Sequence, residues 1–369
     1  MRLFRIESLE VGDKLSRPIY NVNGRVLIRQ GVALTAKMIE RLMEMEISYI
    51  YVEDPDTDDI QHHYPISEEV RQNAMTSIKE SLGQIRDNGN LSKSYIFEKT
   101  EKKMMKVVRN ILTEFNSNKQ VISLLSDVYT YDDYIYTHSL NVTIYSIALG
   151  TELNYNAKQL EQIGFGAILH DVGKMLVPKE ILLKKERLTD EEFSIIKKHS
   201  EDGFEVLRKT ANIPLVAAHC AYQHHERING SGYPRGIKGD AIHPYAKIIG
   251  IADVFDAVTS DRVYRGAMLP HEALEILYAG SGTLFDQEMV ESFRRSVAVY
   301  PNGLGVVLSD GSQGVIARQN PHLCDRPIVR VLEKDGKRLS QHYEIDLSKE
   351  LNIIIKDCDT TIPAKAEKI

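Results

Sequence analysis

Histidines and carboxylates are concentrated in the middle of this 369-residue chain, in a pattern that could hold metal ions. Of its 12 histidines, 8 lie between His138 and His271. An adjacent pair, His170-Asp171, ends an apolar stretch typical of a helix, and Gly173 follows where that helix would break. A neutral imidazole beside a carboxylate can bind one divalent ion, and the second carboxylate oxygen can reach another. Taken alone, the pair could equally be a helix-terminal histidine held by a neighbouring acid.

Other metal-binding residue types recur along the same stretch. His138 belongs to an apolar helical pattern, His199 begins a further helix, and His224-His225 is a doublet. Asp253 lies in an apolar helical run, where an unpaired carboxylate is costly unless it is protonated, paired or bound to a metal. One metal centre explains all of these positions, and its candidate ligands are His138, His170, Asp171, His199, His224, His225 and Asp253.

Composition excludes several classes of protein. The chain has 46 Lys and Arg residues against 52 Asp and Glu residues, and its net charge of −6 disfavours a broad DNA- or RNA-binding surface. Its 3 cysteines have no metal-ligand spacing and cannot form a disulfide framework, so a cytoplasmic location is expected. The chain contains no run of about 18 apolar residues, so no membrane-spanning helix is predicted. The first residues do not resemble a secretory signal.

The pattern of elements divides the chain into four segments and predicts a mainly α fold. Residues 1–60 form a small α+β module, and residues 61–118 form a helical linker. Residues 119–298 are almost wholly helical and contain the candidate ligands. Residues 299–369 change to short apolar runs separated by turn residues, which predicts a β-rich C-terminal domain.

Individual elements follow from the same patterns. In the first segment, Asn23-Gly24 predicts a hairpin turn and Thr35 predicts a helix cap. Strands are predicted over 15–20, 26–28, 47–52, 306–308, 315–318, 328–332 and 353–355. The two linker helices are predicted over 67–85 and 96–115.

A glycine-rich loop follows the histidine doublet. Four glycines surround Pro234, which is compatible with a tight surface loop and also with one wall of a site. Its closeness in sequence to His224-His225 favours the wall. Tyr233 could then stack on a ligand or hydrogen-bond to it, and Arg235 is a candidate ligand contact.

These motifs, in this order, resemble the HD-GYP phosphodiesterases, a subgroup of the HD superfamily of metal-dependent phosphohydrolases. The resemblance covers roughly residues 120–298 and is highly specific. It is carried by His170-Asp171 with Gly173-Lys174, by His224-His225-Glu226, by the segment from Asn229 to Pro234 with Gly236, and by Asp253 with Arg262-Val263-Tyr264-Arg265.

The resemblance implies an HD-type helical bundle around two divalent metal ions, usually iron or manganese. One ion would be held by His138, His170, Asp171 and Asp253, and the other by His199, His224 and His225, with Asp171 bridging. Lys174 would neutralise a phosphate oxygen, while Arg262 and Arg265 would grip the substrate. Members with a third metal carry a glutamate one turn before the first histidine, and Tyr134 occupies that position here, so a third ion is not expected.

The implied reaction is hydrolysis of cyclic di-GMP to linear pGpG in bacterial second-messenger signalling, by attack of a hydroxide that bridges the metals. This agrees with the residues, because two cations can activate water and spread the charge that develops on a phosphodiester. Asp171 and Lys174 are the residues assigned to catalysis. Lys174 would add electrostatic stabilisation of the phosphate.

Several alternatives stay open. The substrate could be another cyclic dinucleotide, the chain could be a general HD nucleotide phosphohydrolase, or it could be a catalytically silent signalling scaffold. Onward hydrolysis to GMP is not decided by the residues. The flanking modules could regulate access, form a homodimer or bind a signalling protein.

Overall fold

The computed structural model describes residues 1–20, 26–45, 47–61, 65–87, 94–118, 134–182, 184, 186–210, 212–260, 267–321 and 323–361. The predicted hairpin turn at Asn23-Gly24 and the first part of the segment 119–298, up to residue 133, lie outside these residues. Of the helices in the described residues, none combines the length and apolar character that a bilayer crossing requires.

The N-terminal module combines two strand pairs with one helix. Its elements are β1 Arg2–Arg5, β2 Ile19–Tyr20, β3 Val26–Ile28, α1 Ala36–Glu44 and β4 Tyr49–Val52. The predicted cap is confirmed, because the Thr35 side chain accepts a hydrogen bond from the amide of Met38. Strand β1 was not predicted, and it pairs antiparallel with β4.

Two long helices connect this module to the helical bundle. They are α2 Glu68–Asp87 and α3 Ser94–Asn118, close to the predicted bounds. Apolar side chains on both, including Ile78 and Val108, are fully buried in the core of the bundle. The linker is therefore part of the packed structure.

The bundle is built around α4 Tyr134–Glu152, which is buried from Tyr136 to Gly150. A helix that is buried on all sides belongs in the interior. The hydroxyls of Ser139, Thr143 and Thr151 bond back to the main chain of the same helix. For example, Thr143 Oγ1 donates to the carbonyl of Ser139 at 2.7 Å. The remaining helices are α5 Ala157–Leu169, α6 Lys179–Leu182, α7 Asp190–Lys197, α8 His199–Arg208, α9 Leu215–Gln223, α10 Pro244–Thr259, α11 Pro270–Ala279 and α12 Gln287–Ser296.

The C-terminal domain is a five-stranded antiparallel sheet in the order β8-β7-β6-β5-β9. Its strands are β5 Gly305–Leu308, β6 Gln313–Arg318, β7 Ile328–Lys334, β8 Lys337–Asp346 and β9 Ile355–Asp359. The longest strand, β8, was not predicted. The expectation of a mainly α protein with a small N-terminal α+β module and a β-rich C-terminal domain is confirmed.

The N-terminal module packs directly against the C-terminal sheet. Leu3 of β1 forms a parallel bridge with Leu304, and both are fully buried in one core with Tyr49 and Tyr51. Leu269, which precedes α11, belongs to the same core. The two ends of the described chain thus form one unit beside the helical bundle.

Candidate metal centre

The His170-Asp171 pair lies where α5 ends and a short 3-10 turn, Val172–Leu176, begins. Gly173 of that turn has a role beyond breaking the helix. A Cβ there would lie 1.9 Å from the main-chain oxygen of His199 and 2.7 Å from the amide of Gly203. Only glycine lets α8 approach this closely, and the approach brings Nε2 of His199 within 3.3 Å of Asp171 Oδ1.

One group of donors surrounds the Oδ2 side of Asp171. Nε2 of His138, on α4, is 3.5 Å from Asp171 Oδ2, and Nε2 of His170 is 3.3 Å from it. Asp253, on α10, places Oδ1 at 3.1 Å from His138 Nε2 and at 4.0 Å from His170 Nε2. These four side chains come from three different elements and converge on one point.

A second group surrounds the other carboxylate oxygen of Asp171. Nε2 of His199 and Nε2 of His224 lie 3.3 Å and 3.8 Å from Asp171 Oδ1, and 3.3 Å from each other. The ring of His225 completes this group, with ligand atoms of all four residues within 4.8 Å of one another. Asp171 therefore lies between two donor groups and belongs to both.

The donors fit metal ions, because several of them are buried and lack a hydrogen bond. His138, His170, Asp171, His199 and His224 are each at most 1% exposed. Within the described residues, His138 Nε2, His170 Nε2 and Asp171 Oδ1 have no hydrogen-bond partner. A buried polar atom left in this way costs about 1–3 kcal/mol, and lone pairs that converge on a cation recover that cost.

The imidazole rings are oriented through their other nitrogen. Nδ1 of His170 donates to Ala167 O at 2.7 Å, and Nδ1 of His199 donates to Ile196 O at 2.7 Å. Nδ1 of His224 lies 2.9 Å from Ala221 O. A carbonyl can only accept, so in each ring the proton is on Nδ1 and the Nε2 lone pair faces the centre.

The site environment keeps most of its histidines neutral and its carboxylates charged. Burial lowers the pKa of His199 to about 4 and holds the pKa values of His224 and His225 well below their usual range. Burial would raise the pKa of Asp171, but His170 and Lys174 hold it well below its ordinary value. These are the protonation states that metal ligands need.

His138 differs from the other histidines in the same environment. Burial favours its neutral form, but the neighbouring carboxylates of Asp253 and Asp256 raise its pKa to about 9. Its Nδ1 lies 2.7 Å from Asp256 Oδ2. Asp256 stands behind the ring, on the side away from Asp171.

Lys174 lies beside the centre. Its Nζ donates to Asp171 Oδ2 at 2.5 Å, and its side chain is 18% exposed. The ammonium is therefore close to the shared carboxylate and also reaches solvent, where a phosphate group could approach.

The glycine-rich loop forms a wall of the site. The Tyr233 ring stacks on His225, with centroids 4.6 Å apart, and the Tyr233 amide donates to the carbonyl of His225. A Cβ on Gly232 would lie 2.4 Å from His225 O, so the loop can approach the doublet only with glycine there. Pro234 follows Tyr233 through a cis peptide bond, and Arg235 places its guanidinium over the ring of Tyr222.

Arg262 and Arg265 fall outside the described residues. His219 packs against Phe204 and belongs to neither donor group. Tyr134, one helical turn before His138, stacks its ring on that histidine.

Two buried acids received no role from the sequence patterns. Asp256 orients His138, and Glu226 accepts from the amides of Arg235 at 2.9 Å and Ile237 at 3.1 Å, which ties down the glycine-rich loop. For each acid the sequence contains a signal that could have identified it. Asp256 is one helical turn from Asp253 in an apolar helix, and Glu226 directly follows the histidine doublet.

Comparison with protein families gives two matches. Residues 112–289 match the model of the HD domain, and residues 305–365 match that of the KOW domain associated with the HD domain.

Curated relatives are similar to a part of this chain. A cyclic di-GMP phosphodiesterase of Pseudomonas aeruginosa is 35% identical over 202 residues, or 55% of this chain and 49% of that protein. A cyclic di-GMP phosphodiesterase response regulator of Xanthomonas campestris is 41% identical over 148 residues, covering 40% of this chain and 39% of the relative. A 3'3'-cGAMP-specific phosphodiesterase of Vibrio cholerae is 38% identical over 144 residues, covering 39% of this chain and 33% of that protein.

This chain thus spans half or less of the length of each of these three relatives. The family match, the paired donor groups and the loop that contains Gly232-Tyr233-Pro234 agree with one another. Residues 112–289 are therefore similar to the HD domain, and residues 305–365 are similar to the KOW domain associated with it.

Proposed function

We propose that this protein is a metal-dependent phosphodiesterase that hydrolyses cyclic di-GMP to linear pGpG. The observation that carries the proposal is the pair of buried donor groups that share Asp171. Such an arrangement suits two cations close together, which is the usual device for cleaving a phosphodiester. The names of the relatives support the substrate class.

The proposed ligands divide between two sites. His138, His170, Asp171 and Asp253 would hold one ion, and His199, His224 and His225 would hold the other together with Asp171. Mixed imidazole and carboxylate donors suit iron or manganese. When bound, these ions would supply Lewis acidity and activate water next to the phosphate.

Other side chains would bind the substrate and stabilise its phosphate group. Lys174 already lies at the shared carboxylate, so its ammonium would neutralise a phosphate oxygen without moving far. Tyr233, Pro234 and Arg235 lie on or near the wall formed by the glycine-rich loop and would contact the substrate. For Arg262 and Arg265 the phosphate-binding role stays a prediction from sequence.

A second candidate substrate is 3'3'-cGAMP. The relative from Vibrio cholerae whose name gives that specificity is about as similar to this chain as those named for cyclic di-GMP. The two substrates differ in one purine, and no described residue is assigned to reading a base edge. Onward hydrolysis to GMP, a cytoplasmic location, a homodimer and a signalling partner likewise stay predictions.

An assay on purified protein tests the proposal. The protein, loaded with Mn²⁺ or with Fe²⁺ under reducing conditions, is incubated with several cyclic dinucleotides, and the products are separated by chromatography. We expect cyclic di-GMP to give pGpG. Asp171→Ala removes the shared carboxylate and is expected to lower the rate about 100-fold or more.

Glu201→Ala is the matched control, because Glu201 is an exposed acid on α8, the helix that begins with His199. Its rate should equal that of the unaltered protein. Equal rates for Asp171→Ala, or no turnover of any cyclic dinucleotide by the metal-loaded protein, would show that the proposed function is wrong.

A further inference from the structure

Asp256 is a buried carboxylate that lies close to the candidate metal centre and belongs to neither donor group. It is 1% exposed, and its Oδ2 lies 2.7 Å from Nδ1 of His138. The Nε2 atom of the same ring faces Asp171 and Asp253. Asp256 therefore contacts the candidate centre through His138.

This arrangement distinguishes His138 from the other oriented histidines. Nδ1 of His170, of His199 and of His224 donates to a main-chain carbonyl, which is neutral and fixed by the helix. His138 instead donates to a charged side chain. A carboxylate in this position fixes the tautomer, orients the ring and makes the opposite nitrogen a stronger donor to a metal.

Asp256 is itself held in place from two helices. Nδ2 of Asn141, almost one turn after His138 on α4, donates to Asp256 Oδ1 at 2.9 Å. Oγ of Ser260, next to the end of α10, donates to the same oxygen at 3.1 Å. Because these donors occupy Oδ1, Oδ2 is left for His138, and the network ties α4 to α10 at the point where they carry His138 and Asp253.

The network also makes the two halves of the centre electrostatically unequal. Asp253 lies between the two sides, with Oδ1 3.1 Å from His138 Nε2 and Oδ2 3.6 Å from His225 Nδ1. Asp256 adds negative charge on the His138 side alone, whereas the other side is completed by the three rings of His199, His224 and His225. A cation on the His138 side would be closer to more negative charge.

We propose that Asp256 is a positioning residue that orients His138 and selectively strengthens the metal site on the His138 side. This inference rests on the metal centre put forward under the proposed function. Loss of the Asp256 charge should weaken one of two ions and leave the ion at His199, His224 and His225 in place.

The test measures metal binding without substrate. The full chain is stripped of metal and titrated with Mn²⁺, and bound ions are counted by elemental analysis and by electron paramagnetic resonance. For the unaltered chain we expect two ions per chain with a spin-coupled signal. For Asp256→Asn, a change of equal size, we expect one ion to weaken about 10- to 100-fold and the coupled signal to disappear at limiting Mn²⁺.

Thr259→Val is the matched control, since among the described residues the Thr259 hydroxyl bonds to the carbonyl of Phe255, one turn earlier on the same helix. It should bind two ions normally. Thermal unfolding of the metal-free variants checks that each is folded. If Asp256→Asn does not fold, Asn141→Leu replaces it. That change removes one of the two hydrogen bonds that hold Asp256 and keeps its charge, and we expect a several-fold weakening of the same single ion.

The outcomes separate the two proposals. If the unaltered chain binds fewer than two ions, the metal centre itself is wrong, and Asp256 has no such site to strengthen. If the unaltered chain binds two ions and the folded variant binds both with unchanged affinity, or loses both equally, the role of Asp256 is overturned.

Discussion

At the scale of single residues, the site depends on acids that hold other groups in place. Glu226 is 5% exposed, and its two oxygens accept from the amides of Arg235 and Ile237. A carboxylate that accepts from main-chain amides makes a strong charge-assisted bond. Glu226 thus holds the loop so that Tyr233 covers His225.

Glu226→Gln should loosen this loop without emptying the metal centre. A glutamine has one acceptor oxygen, and its NH2 group would face the second amide. We expect the amides of Arg235 and Ile237 to exchange hydrogen about tenfold faster, since each bond to a charged acceptor contributes about 1.5–3 kcal/mol. Hydrogen exchange followed by mass spectrometry measures this, and KM should rise several-fold.

Glu201→Gln makes the same chemical change at an exposed position and should alter neither quantity. Unchanged exchange in Glu226→Gln would contradict the holding role. A loss of bound metal in that variant would mean that Glu226 supports the donors themselves.

Sequence patterns pointed to the candidate metal ligands but not to Asp256 and Glu226, the acids that hold other groups in place. A histidine or acid in an apolar helix stands out, and all seven candidate ligands lie close together in the fold. Asp256 and Glu226 are equally unusual by residue type. Their roles depend on which nitrogen of His138 faces them and on how the loop folds back, and neither is visible in local spacing.

At the scale of elements, the centre depends on the close approach of the 3-10 turn after α5 to the start of α8. The sequence suggested Gly173 as the end of a helix, and α5 does end at Leu169. The structure adds a second reason, since a Cβ at Gly173 would overlap the main chain of α8. Glycine is therefore needed for packing between elements as well as for the break.

Gly173→Ala tests this approach. The new methyl would force α8 away, because its nearest neighbours are main-chain atoms that cannot rotate aside. We expect the free energy of unfolding to fall by about 1–3 kcal/mol or more and metal binding at His199 to weaken. Denaturant unfolding and Mn²⁺ titration measure the two effects.

Gly83→Ala is the control for the substitution itself. Gly83 lies within α2, and a Cβ there would meet nothing within 4 Å. It should raise the free energy of unfolding by about 0.5–1 kcal/mol, as alanine does in a helix. If Gly173→Ala behaves like Gly83→Ala, the close approach does not matter for stability.

Strands β1 and β8 were not predicted because neither has the alternation of apolar and polar residues that identifies a half-buried strand. Strand β8 is a sheet edge with mostly exposed side chains, so it lacks the apolar alternation that identifies a half-buried strand. Strand β1 is short, with two adjacent apolar residues between two arginines and no alternation, and it is recognisable only through its partner β4, more than forty residues later.

At the scale of the whole molecule, the N-terminal module and the C-terminal sheet form a common core. Leu3 and Leu304 meet in that core, and Arg330 forms a two-pronged ion pair with Asp59. Sequence patterns suggested separate modules at the two ends, because contacts between positions about 300 residues apart leave no local periodicity. The segment boundaries themselves stay a prediction.

Metal-dependent cleavage of a cyclic dinucleotide is the central claim, and one measurement tests it most directly. Protein stripped of metal by a chelator, and the same protein reloaded with Mn²⁺, are each incubated with cyclic di-GMP while bound ions and products are counted. We predict pGpG only from the reloaded form, with about two ions per chain. Undiminished cleavage by the stripped protein, or no cleavage by protein that holds both ions, would contradict the account.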